Sequence, residues 1–210
     1  MKKHIDRYPR LAECLDDVEK ICDALEDCFR AGGKLLLCGN GGSAADCEHI
    51  TGELTKGFLL ERKLDARTRA EFINVSPQAT DIVDRLQYGL PAIPLPALMS
   101  LTSAVANDSD PAMMYAQGVM SLGREGDALL CISTSGNSES VYNAAVTAKA
   151  KGMFVAALTG KNESLLSHIC DVTVRVPETE TYKVQELHLP LYHAICAELE
   201  RRFFRSINCK

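Results

Sequence analysis

Leu35-Leu36-Leu37-Cys38-Gly39-Asn40-Gly41-Gly42-Ser43 is an unbroken apolar run that gives way to a tight, glycine-rich polar turn. About ninety residues further on the pattern returns as Ala128-Leu129-Leu130-Cys131-Ile132-Ser133-Thr134-Ser135-Gly136-Asn137-Ser138. Each stretch reads as a buried strand breaking into a loop of small residues that opens a helix. Such a loop aims backbone N–H groups and hydroxyls at one point, an arrangement suited to an anion. Two copies in one chain predict a site for a phosphorylated small molecule.

The flanking sequence supplies the rest of the fold. Residues 9–31 carry apolar positions at Leu11, Cys14, Leu15, Val18, Ile21, Cys22, Leu25 and Phe29, a helical stripe ended by Gly32-Gly33. A helix is predicted from Ser43 to about Lys56. Ala92-Ile93-Pro94-Leu95 reads as a short strand, followed by helical stretches over 97–106 and 110–122. The Ala128–Ile132 strand leads into a helix over 138–150, then strands Phe154–Leu158 and Val172–Val176 with a short helix at 162–168 between them. A long helix from about Lys183 to Phe204 closes the chain. Strands alternating with helices predict one α/β domain over residues 1–210, with a parallel sheet flanked by helices on both faces. Ligands of such sheets gather at the carboxyl ends of the strands, where the strand order reverses. Residues 57–91 fit poorly. Arg62, Lys63, Asp65, Arg67, Arg69 and Glu71 form a mixed-charge stretch, and Asp81–Leu86 looks like a short amphipathic helix. The segment is expected to be an insertion serving as a lid or an oligomer contact.

Composition narrows the function classes. A net charge of −5 without any basic cluster argues against a nucleic-acid partner. No apolar run approaches the roughly 20 residues of a membrane span. Met1–Tyr8 has no apolar core after its lysines, so no signal peptide and a cytoplasmic location are expected. The nine cysteines are scattered, without a C-x-x-C pair. They read as buried reduced thiols acting as small hydrophobes, not as a thiol-only zinc site.

The hydroxyl-rich loop carries more serines than a helix cap needs, although Asn137 or Ser138 is also expected to cap the helix that follows. The first turn lacks G-x-G-x-x-G spacing, since Ala44 stands where the last glycine would be, and no G-K-[ST] follows. A sugar phosphate therefore fits better than a nucleotide. His49 and Glu53, four apart, share a face of the helix that begins at this site, although a solvated helix contact has the same spacing. Gln185, Glu186, His188 and His193 sit on the last helix. Three of the five histidines thus fall in two short segments, which favours a metal or acid–base site. Gln185 and His193 are separated by about 12 Å of helix. A kink at Pro190, or contributions from two subunits, would reconcile them.

Several motifs occur in a fixed order: Cys38-Gly39-Asn40-Gly41-Gly42-Ser43, His49-x-x-x-Glu53-Leu54-Thr55, Asn107-Asp108, Gly123-Arg124-Glu125-Gly126-Asp127, Ile132–Ser138, Leu158-Thr159-Gly160-Lys161 and Gln185-Glu186-x-His188. Together they resemble the phosphoheptose (sedoheptulose-7-phosphate) isomerase branch of the sugar-isomerase, or SIS, domain family over residues 10–205, the insertion apart. The resemblance implies a flavodoxin-like fold, a homotetramer with sites between subunits, and zinc. It implies His49, Glu53, Gln185 and His193 as metal or catalytic residues; of these, a carboxylate in a semi-enclosed site suits the carbon proton, which assigns Glu53 as base, and an imidazole suits the acid–base partner, which assigns His193. Asn40, Gly41, Gly42, Ser43, Asp108, Ser133, Thr134, Ser135, Ser138 and Gln185 are implied as substrate contacts. The implied reaction turns sedoheptulose 7-phosphate into D-glycero-D-manno-heptose 7-phosphate through an enediol. Two alternatives stay open: a non-catalytic SIS protein that senses phosphosugars or associates with a replication initiator, and an isomerase of another ketose phosphate. The chain departs from the family pattern at Gly57, where an arginine is usual and Lys56 offers a substitute, and at Tyr182, where an aspartate is usual.

Overall fold

The computed structural model describes residues 6–205. The reading of Met1–Tyr8 as lacking a leader falls largely outside them. Five parallel strands, β1 (Leu35–Gly39), β2 (Ala92–Pro94), β3 (Ala128–Ile132), β4 (Phe154–Thr159) and β5 (Val172–Arg175), form one sheet in the order β2-β1-β3-β4-β5. That is the flavodoxin-like order, in which the chain leaves β1 toward one edge and later returns to its other side. The reversal falls between β1 and β3, whose residues pair from Leu35↔Ala128 to Gly39↔Ile132. Both loops singled out above leave the sheet at that point.

The strands are apolar throughout because both faces are covered. Leu35, Leu37, Leu130, Ile132 and Leu158 pack on one side with α1 (Leu15–Arg30), α2 (Gly42–Thr55) and the long α9 (Thr181–Phe204). Leu36, Cys38, Leu129, Cys131 and Ala157 pack on the other, mainly with α6 (Met114–Leu122), α7 (Glu139–Ala150) and α8 (Leu165–Ile169). The alternation follows the two-residue period of a strand. Among the described cysteines all are free thiols and only Cys170 escapes full burial. Burial raises the thiols of Cys14 and Cys28 to about 11 and that of Cys22 to about 12, so these three are not nucleophiles at neutral pH.

The expected helix over 9–31 begins instead as a tight turn, Pro9–Cys14, before α1 proper. Segment 57–91 holds two helices, α3 (Ala66–Val75) and α4 (Thr80–Arg85). The sequence reading missed α3, which has no buried residue and therefore no apolar stripe; its signal is the Asp65 cap, whose carboxylate accepts from Thr68 N at 2.8 Å. Its base is closed by Tyr88 N donating to Arg62 O at 2.8 Å and Leu90 N to Leu54 O at 2.9 Å. Helix α5 (Met99–Asp108) follows β2. No helix among the described residues is long and apolar enough to cross a membrane.

Candidate active site

A cavity of about 330 Å³ opens over the β1–β3 junction. Asn40, Gly41, Gly42 and Ser43 line it from the turn after β1, and Ser133, Thr134, Ser135 and Ser138 from the turn after β3. Thr181 and Gln185 close it from the first turns of α9. Thr181 was missed in the sequence, where its lone hydroxyl carries no pattern. Asp108 is not among these lining residues; it is exposed at the end of α5 and accepts from the Asn107 amide at 2.8 Å.

Helices α2 and α7 both begin at this cavity. Gly41 at the α2 cap has no side chain to offer, and Ser138 at the α7 cap makes no capping bond. The capping bond expected of Asn137 or Ser138 is not made: the Ser138 hydroxyl accepts from Asn40 Nδ2 at 2.7 Å, and Asn137 Oδ1 accepts from Leu165 N at 2.9 Å. The first turn of α2 is closed by its own backbone, Ser43 N donating to Asn40 O and Ala44 N to Gly41 O, both at 3.0 Å, and it is the convergence of two positive helix ends on the cavity that favours an anion there. Gly42 leaves room for Gln185, whose Nε2 would lie 2.3 Å from a Cβ there and would have to move aside. Gly136 takes φ +67° and packs so closely on α8 that a Cβ would meet Ser164 Oγ at 2.1 Å.

Helices α2 and α9 run side by side in the same direction. Gln185 faces Gly42, and seven residues further along α2 His49 meets Tyr192 and His193. Gln185 and His193 are therefore not drawn to one point; each meets the residue of α2 at its own level. Helix α9 continues through Pro190 from Thr181 to Phe204, so this arrangement needs no break at the proline.

His49, Glu53 and His193 come together. His49 Nε2 lies 3.3 Å from His193 Nε2 and 3.4 Å from Glu53 Oε1. Lys56 Nζ reaches Glu53 Oε2 at 3.2 Å, giving this carboxylate a cation despite Gly57. Tyr192, missed in the sequence as one more apolar position of α9, donates its hydroxyl proton to Asp46 Oδ1 at 3.1 Å. The same hydroxyl lies 3.1 Å from His49 Nδ1, so Tyr192 holds the imidazole between Asp46 and the Glu53–His193 cluster. Burial raises the Asp46 carboxyl above its ordinary value, opposed by the Tyr192 hydrogen bond and the nearby His49.

Zinc takes four donors of this chemistry at about 2.0–2.2 Å. Among the described residues no group of three or more His, Cys, Asp or Glu side chains is spaced to hold an ion, and Gln185 stands apart at the cavity. Of the four expected ligands, His49, Glu53 and His193 stand together and Gln185 lines the cavity.

The last support on this face is a buried ion pair. Arg62, fully buried, donates Nε to Glu200 Oε1 at 2.9 Å and its terminal nitrogens to Leu54 O at 2.6 Å and Glu53 O at 3.0 Å. Glu200 also accepts from Phe58 N, Leu59 N and Leu60 N at 2.8, 2.7 and 3.0 Å. The pair ties the end of α2, where Glu53 sits, to α9.

Comparison with known proteins agrees with this architecture. Residues 6–89 and 72–160 match the SIS domain family. The chain is 34% identical over 195 residues to a phosphoheptose isomerase of Rhodospirillum rubrum, covering 93% of this chain and 90% of that one. It is 36% identical over 190 residues to a phosphoheptose isomerase of Burkholderia pseudomallei, covering 90% and 84%. The solved phosphoheptose isomerase of Neisseria gonorrhoeae superposes with a TM-score of 0.72 at 30% identity, over 95% of this chain and 90% of that one. With the β2-β1-β3-β4-β5 sheet and two small-residue loops at its reversal, the chain belongs to the SIS domain family, on its phosphoheptose isomerase branch.

Proposed function

We propose that the protein interconverts sedoheptulose 7-phosphate and D-glycero-D-manno-heptose 7-phosphate. The observation that carries the reading is the course of α2 and α9, which leads from the loop cavity at Gly42 and Gln185 to the His49–Glu53–His193 cluster. A phosphate in the cavity at one end of a seven-carbon chain leaves the other end free to lie along these helices. Between Ser43 and His49 the rise of α2 is about 9 Å.

At that far end the chemistry is proton transfer. Glu53 takes the proton from C1, and the electron pair of the C–H bond forms the C1–C2 double bond of the enediol. His193 gives a proton to the oxygen on C2 as charge builds there, and then recovers one from the oxygen on C1 as the aldehyde forms. Glu53 returns its proton to C2, so that atoms and charges balance over the cycle. His49, fixed by Tyr192, orients His193 from 3.3 Å.

The test is conversion of sedoheptulose 7-phosphate by the intact protein and by Glu53→Gln, with inorganic phosphate as inhibitor. Turnover is expected to vanish in Glu53→Gln while phosphate still binds. Turnover at the wild-type rate in that variant removes Glu53 from the mechanism.

A further inference from the structure

Behind the cavity lies a hydrogen-bond chain that the proposed reaction does not use. Tyr115 on α6 is buried, 3% exposed, and its hydroxyl donates to Gly39 O at 2.7 Å, with Asn40 Oδ1 at 3.0 Å sharing the proton. The Asn40 amide then turns both N–H bonds outward, to Ser138 Oγ at 2.7 Å and Ser140 Oγ at 3.0 Å. Ser140, itself buried, lies 3.5 Å from Ser138 Oγ. An amide has two donors and one acceptor oxygen, and here every one of them is engaged. Asn40 is therefore spent on holding the two loops together.

The bookkeeping of protons has a direct consequence for Ser138. Its oxygen accepts from Asn40, its hydrogen has Ser140 Oγ as a distant alternative at 3.5 Å, and Ser138 lines the cavity, so that hydrogen can turn to an anion there. We infer that Tyr115, acting through Asn40, is a positioning residue that sets Ser138 as a hydrogen-bond donor to the phosphate of the substrate. Burial lifts the Tyr115 phenol above its ordinary value, which keeps it a proton donor across the working range. Chains of hydrogen bonds polarise one another, so a fixed phenol strengthens the last donor in the row. Three elements far apart in sequence, the β1 turn, α6 and the β3 turn, meet in this chain. The inference rests on the sugar-phosphate reading of the cavity.

The experiment is a double-mutant cycle on Tyr115→Phe and Ser138→Ala, read by inhibition with inorganic phosphate and by KM against kcat for sedoheptulose 7-phosphate. Tyr115→Phe keeps the buried ring and removes only the hydroxyl. It is expected to weaken phosphate inhibition and raise KM about tenfold, which corresponds to roughly 1.4 kcal/mol, with kcat within about twofold of wild type. In a Ser138→Ala background the same change is expected to have almost no further effect. Additive effects, or a fall in kcat with KM unchanged, overturn the coupling through Ser138. A wild-type protein that phosphate does not inhibit overturns the sugar-phosphate reading itself, whereas normal inhibition left unaltered by Tyr115→Phe overturns this inference alone. Thermal unfolding of each variant is recorded alongside; should Tyr115→Phe unfold, Ser140→Ala serves as the second probe, with the same non-additivity expected.

Discussion

Replacing Arg62 by methionine tests what joins the two helices of the site. Methionine keeps an unbranched side chain against Phe204, whose ring lies 4.6 Å below the guanidinium. It deletes three hydrogen bonds, to Glu200, Leu54 O and Glu53 O, and leaves Glu200 with a charge answered only by three backbone N–H groups. Both side chains are essentially fully buried, at 0% and 1% exposure. Breaking such a pair from one side costs about 3–5 kcal/mol, because the remaining charge is uncompensated. With an unfolding entropy of about 0.44 kcal/mol/K for a chain of this size, the midpoint is expected to fall by roughly 7–11 °C. Circular dichroism melts of wild type, Arg62→Met, Glu200→Gln and the double variant measure this. The double variant is expected to lose less than the sum of the two singles, since no unpaired charge remains. Glu53 lies in the last turn of α2, whose carbonyls Arg62 holds, so turnover in Arg62→Met is expected to fall several-fold well below the midpoint. Phosphate inhibition, set at the opposite end of the helix, is expected to persist. A midpoint shift under about 2 °C, or additive losses, would refute the idea that this pair fastens α2 to α9.

Two further outcomes follow from single positions. Gly42→Ala is expected to push Gln185 out of the cavity, raising KM for the sugar phosphate while changing the melting midpoint little, because the obstructing atom is the tip of a flexible side chain; an unchanged KM would show that Gln185 is not needed where it lies. His188 is wholly buried against Thr159 O, and burial lowers it from 6.5 to about 4. Its unfolded form therefore binds a proton that the folded form refuses, so its stabilising effect is complete above pH 6.5 and is lost as pH falls from there to about 4. That loss is roughly 3 kcal/mol. Urea midpoints of His188→Gln are expected to fall less steeply than wild type across this range, and parallel slopes would contradict the assignment.

Much of the site was legible because it is written locally. The β1 and β3 runs are apolar on both faces, so each strand and the loop after it announce themselves within about ten residues. Helical spacing puts His49 and Glu53 on one face, and the resemblance to the isomerase family singled them out. What the sequence hid is the partnership of distant groups. Arg62 looked like one charge among many, and nothing near it points to Glu200, 138 residues away. Tyr115 and Tyr192 carry no local signal, since an aromatic ring satisfies the apolar pattern whether or not its hydroxyl is employed. Helix α3 hid for the opposite reason, having no buried face to impose a period. Asn137 or Ser138 was expected to cap α7, and only the nearness of Asn40 shows that the Ser138 hydroxyl is engaged elsewhere.

The matched course of α2 and α9 makes the site a gauge as well as a catalyst. On the proposed reading, the distance between anchored phosphate and reactive carbon is set by how many helical turns separate Gln185 from His193. A ketose phosphate with fewer carbons would dock its anion and fall short of the imidazoles, so molecular length becomes a selection criterion without any dedicated pocket wall.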